Sequence, residues 1–145
     1  CRQSRTCFFV MPHRELRLNS MTIPIYLKSM AVLFTLAIGL PLLFAPLGWA
    51  KLMRWQLPAE LDLTNYFGRC LGAVVTAISV TYFRFAENAA LHHLMLELLL
   101  AAFGLMVFVH VWGAIRRTQP WTETAEIPVY FVLSAAAAAF RWGYI

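Results

Sequence analysis

Apolar residues in this chain gather into four blocks, at about residues 31–50, 66–83, 91–115 and 127–145, and polar or charged residues concentrate in the stretches between them. Each block is roughly the 18–25 residues that an α-helix needs to cross about 30 Å of hydrocarbon. The pattern predicts an all-α fold, an integral membrane four-helix bundle. Residues 84–88 are too few to do more than fold the second helix back on the third, and residues 116–126, with Pro120, close the third on the fourth. Up-down-up-down order follows.

Within the first block, Pro41 and Pro46 each remove a backbone donor and bend the helix, which a bilayer tolerates when neighbouring groups satisfy the freed carbonyls. The connection that follows, KLMRWQLPAELDLTN, carries Lys51, Arg54, Trp55 and Leu61 and suits a segment lying among headgroups. Aromatic residues mark the same limits. Trp49, Trp55, Tyr66, Trp112, Trp121 and Tyr130 fall on one side of the membrane, and Tyr26, Tyr82, Trp142 and Tyr144 on the other.

Composition agrees with the block pattern: of 145 residues, 61% are hydrophobic and 13% charged, which a soluble domain of this size cannot hide. The lipid bilayer is therefore the expected partner. A net charge of +5 does not indicate nucleic acid, because the basic residues sit in the tail and at block ends rather than along one stripe. The chain divides into a polar, basic tail, residues 1–28, and a four-span domain, residues 29–145. Met21 opens a stretch, MTIPIYLKSM, that reads as a natural start. With the tail, Arg2, Arg5, Arg14, Arg17, Lys28, Arg84 and Arg141 face Lys51, Arg54, Arg69, Arg116 and Arg117 across the membrane, and the positive-inside rule places both ends in the cytoplasm. A start at Met21 reverses that orientation.

Chemistry is sparse. Gly68 and Gly72 form a G-x-x-x-G pair that Thr76 and Ser79 extend along one side of the second helix, a face built for close approach to the first or fourth helix, or to a second copy in a homodimer. Glu97 lies about two turns into the third helix, where an unpaired carboxylate is expensive. His93 precedes it by one turn and Arg141 comes to similar depth, so Glu97, His93 and Arg141 form a candidate intramembrane site. A second candidate, near the opposite interface, groups Arg69, His110, Asn65 and Tyr130. His92 and His93 stand 17–18 residues from His110, about 26 Å of helix, which excludes a haem held by both sides of one chain. Cys1, Cys7 and Cys70 have no metal-ligand spacing; Cys70 reads as a small packing residue. No catalytic motif is present and no metal is expected.

The stretch GLPLLFAPLGWAKLM, followed by LTNYFGRCLGAVVTAISV with its Tyr66-Phe67-Gly68-Arg69 entry into a glycine-bearing second helix, resembles the DoxX-like group of small four-helix bacterial membrane proteins. The resemblance spans about residues 31–140 and implies a place in the bacterial inner membrane. Some members are linked to quinone-coupled oxidation of sulfur compounds, but no catalytic residue carries over. The expected function is thus that of a non-enzymatic accessory or interaction subunit, alone or in a larger membrane complex, with no cofactor. The alternatives are the membrane subunit of a quinone-linked oxidoreductase, with quinone as its cofactor, and a small proton-coupled transporter.

Overall fold

The computed structural model describes residues 13–143, with side chains from Thr22 onward, and every regular element among them is helical. Cys1, Cys7, Arg2, Arg5 and Tyr144 lie outside the described residues, as do the side chains of Arg14 and Arg17. Helix α1 covers His13–Phe34, a π-helical turn Thr35–Gly39, α2 Leu40–Phe44, α3 Pro46–Leu52, α4 Asp62–Phe85, α5 His92–Arg116, α6 Trp121–Ala125 and α7 Ile127–Trp142. Four stretches are long and apolar enough to cross a bilayer: Thr22–Phe44, Asp62–Phe85, Ala89–Arg116 and Trp121–Trp142. Only 17–22% of each is buried inside the bundle. Residues such as Phe44, Phe67, Leu105 and Phe131 stand exposed, a surface that suits lipid and not water.

The first span begins earlier than the hydropathy pattern suggests. Helix α1 runs straight through the boundary expected at residues 28–31, carrying Pro24 within it, and the apolar stretch ends at Phe44 rather than residue 50. Proline explains the far limit. Pro46 disfavours helical geometry at the residue before it, and Ala45 sits at φ −139°, ψ 57°, so the chain breaks there and α3 turns across the end of α4. Pro41 acts differently, because it cannot donate to Ala37 one turn back. The Trp49 indole N–H donates to the Ala37 carbonyl instead, at 3.0 Å, and the backbone widens into the π-helical turn around that point.

Small residues set how α4 meets the broken first span. At Gly39 a Cβ would lie 2.6 Å from Thr76 Oγ1, at Gly72 it would collide with the Leu43 backbone nitrogen and the Gly39 carbonyl, and at Gly68 with the Pro46 ring. Gly68, Gly72 and Thr76 therefore face α2 and α3 of their own chain, and the Thr76 hydroxyl donates to the Gly72 carbonyl at 2.7 Å. Ser79 is buried on the same side. Cys70 is exposed: it sits halfway between those glycines and points away from the seam, so it is not the packing residue expected.

Each long helix runs antiparallel to the next, giving the expected up-down-up-down order. Lys28 at the start of the first span meets Glu87 just past the end of α4, and Pro46 at the other end meets Gly68. The α4–α5 hairpin closes where the Tyr82 hydroxyl donates to the Met95 carbonyl at 2.6 Å and His92 Nε2 meets the Ala86 carbonyl at 2.8 Å. Around them lies the core of Leu27, Ala31, Tyr82, Ala86, Met95 and Leu96. Helix α5 packs along α7, and an aromatic column of Phe34, Phe103, Tyr130 and His110, with neighbouring ring centroids 5.0–6.3 Å apart, runs from the core to the far end.

Candidate functional site

That column ends on a buried polar centre. Helix α5 supplies His110, six residues before its end and 3% exposed. The segment read from the sequence as a turn between the third and fourth helices instead contains α6, which carries Glu123, also buried. Glu126 sits at the break between α6 and α7, where Pro128 in the first turn starts a new helix. One turn into α7 stands Tyr130.

The chain folds this way because the polar link after the first span is laced to α6. The Trp55 indole donates to Glu123 Oε1 at 2.8 Å, the Thr122 hydroxyl donates to the Met53 carbonyl, and the Arg54 guanidinium lies 5.3 Å from the Trp121 ring centroid. Arg54 takes a left-handed conformation, φ 64°, unusual for a residue with a Cβ. Gln119 holds the connection from the other side, donating to the His110 carbonyl at 3.0 Å and to the Thr124 hydroxyl at 3.1 Å. Its side chain lies in the space left by Gly113, where a Cβ would collide with it.

At the centre, His110 Nδ1 lies 2.7 Å from the Met106 carbonyl. A carbonyl only accepts, so Nδ1 carries a proton. The other nitrogen, Nε2, faces two carboxylates, Glu123 Oε2 at 3.1 Å and Glu126 Oε2 at 3.7 Å. A bare lone pair aimed at two carboxylates is repulsive, so this geometry needs either a proton, on the ring or on one of the acids, or a cation between the groups. One ligand atom from each of His110, Glu123 and Glu126 falls within 4.8 Å of the others.

Of the residues singled out in the sequence, the structure unites some and separates others. Arg141 donates to Glu97 Oε1 through Nε at 2.8 Å and a terminal nitrogen at 2.6 Å. His93 is exposed and takes no part in that contact; its neighbour His92 is the buried one. His110 and Tyr130 do come together, but Asn65 and Arg69 do not join them. With Gly68 and Gly72 turned onto the first span, Arg69 is carried round α4 to an exposed face. The sequence reading missed Glu123, Glu126 and Trp55, although two acids three residues apart before an apolar run were a usable signal. No family model, curated protein or solved structure matches this chain.

Proposed function

We propose that the chain is an accessory or interaction subunit of the bacterial inner membrane, with both ends on the cytoplasmic side, and that it binds a partner's transmembrane helix against α5 and α7. The observation that carries this reading is the Glu97–Arg141 pair, whose side chains remain 53% and 27% exposed on the outside of the bundle. The Ala89–Arg116 stretch is roughly 42 Å long, about 12 Å more than the hydrocarbon is thick, which puts Glu97 on the order of 6 Å inside it. Hydrocarbon is a poor neighbour for a half-open ion pair; a helix offering hydrogen-bonding groups is a good one. The small-residue face of α4 is spent inside the chain, so association falls to this other surface.

A photo-crosslinking residue placed at Leu94 or Leu98, both exposed beside Glu97, tests the proposal in intact membranes. A discrete protein adduct, weakened by Glu97→Gln or Arg141→Gln and missing from a probe at Phe67 on α4, is the expected result. Lipid adducts alone at every position would sink it, and an adduct of twice the chain's mass would identify the partner as a second copy. The quinone-linked alternative would set quinone against Arg69 and His110 or against Glu97 and His93; Arg69 stands apart from His110 on an exposed face of α4.

A further inference from the structure

We propose that His110, Glu123 and Glu126 form a binding site for one divalent first-row transition-metal ion at the end of the bundle opposite the Glu97–Arg141 pair. Three features of the cluster carry the inference: its donor set, its charge and the way two of its donors are held.

Among the described residues, this is a group whose one nitrogen and two carboxylate oxygens converge. Separations of 3.1 and 3.7 Å from Nε2 to the two oxygens are close to those of ligands bonded to one ion at about 2.0–2.2 Å, which stand roughly 3–3.5 Å apart. A ring nitrogen with carboxylates suits Zn2+, Mn2+ or Fe2+, whereas Mg2+ favours oxygen and water and Cu+ favours sulfur. Two carboxylates and a neutral imidazole around a dication sum to zero, so the ion removes the excess negative charge at a buried position. A second ring proton would leave one negative charge there.

Two of the ligands are also aimed by outer partners, the arrangement that metal-binding side chains need to keep their donor atoms fixed. The Met106 carbonyl takes the Nδ1 proton and turns the Nε2 lone pair inward. The Trp55 indole holds the Glu123 oxygen that does not face the histidine, leaving Oε2 for the ion. The Tyr130 ring lies 5.0 Å from the imidazole. Glu126 is the most open of the three, with its side chain 29% exposed against 4% for His110 and 11% for Glu123. An ion enters from that side, and the same side leaves coordination positions for water or a further ligand.

The test uses the full chain purified in mild detergent, stripped with a chelator, dialysed against Zn2+ and analysed for metal. One Zn2+ per chain is expected, with Co2+ giving the visible absorption of a nitrogen–oxygen site. Glu126→Gln should weaken Zn2+ binding at least 100-fold, and Trp55→Phe should weaken it about 10–100-fold. Because Glu126 is the accessible ligand, its variant tests binding without emptying the buried pair. Zn2+ should raise the unfolding midpoint of the unmodified chain and leave that of Glu126→Gln where it was. Glu97→Gln, at the other end, should bind as the unmodified chain does, so this result and the partner-helix result are independent. A folded protein that takes up no stoichiometric Zn2+ overturns the proposal, as does one that binds it equally well after Glu126→Gln or prefers Mg2+.

Discussion

The two ends of this bundle solve the same problem, placing charge next to hydrocarbon, in opposite ways. At the end holding the N-terminal side of the first span, ion pairs lie open: Lys28 meets Glu87 with side chains 37% and 70% exposed, and Arg141 meets Glu97. At the other end the acids turn inward onto His110 and are roofed by Trp55 and the linker. Lys28 and Glu87, at the span ends, keep most of their solvation, so their loss costs little, whereas Glu97 and Arg141 turn their charge outward to the proposed neighbouring helix. Closed groups have given up water, so each depends on its neighbours.

That difference can be broken in graded steps, each read as unfolding free energy in mixed micelles. His110→Ala leaves two acids without the imidazole that they face and should cost about 3–5 kcal/mol; a cost below that of Glu97→Ala would erase the distinction between the ends. Trp55→Phe keeps the ring but orphans Glu123 Oε1, for an expected loss of about 1–3 kcal/mol. At the open end, Tyr82→Phe removes the one hydroxyl that ties the hairpin to the Met95 carbonyl and should cost about 1 kcal/mol. Glu97→Gln should change stability by no more than about 1 kcal/mol while still reducing the crosslink at Leu94. Lys28→Gln is the smallest, about 0–0.5 kcal/mol, and a larger value would show that the open pairs also support the fold.

Much of the fold was legible because lipid imposes a length on every helix. The second and third spans, expected at about 66–83 and 91–115, emerge as Asp62–Phe85 and Ala89–Arg116. The first was misplaced because hydropathy weighs Lys28 and Ser29 against a helix that their neighbours carry through, and cannot tell a proline that widens a helix from one that ends it. Pro41 and Pro46 look alike in the sequence. The Trp49 indole beside Ala37 and the non-helical backbone at Ala45 separate them.

The candidate sites show the same division. Glu97 and Arg141 could be paired by counting along two helices that must be antiparallel, because depth is nearly a function of sequence position in a spanning helix. His110 could be placed at its depth by the same count, yet its partners could not. Glu123 lay in what read as a turn, Trp55 in what read as a surface link, and Arg69 was assigned to the wrong face because depth says nothing about rotation.

By itself, then, the sequence determined that the chain is helical, how many apolar stretches it has, and which residues lie near which end, since those follow from composition and a fixed rise per residue. The tertiary structure decided rotation: which way α4 faces, that α6 forms and folds under Trp55, and that one histidine nitrogen meets two acids. Rotation is set by which side chains can be absent at a seam and which buried polar atoms find partners. Those contacts join residues up to 107 positions apart in the chain, and no local pattern encodes them.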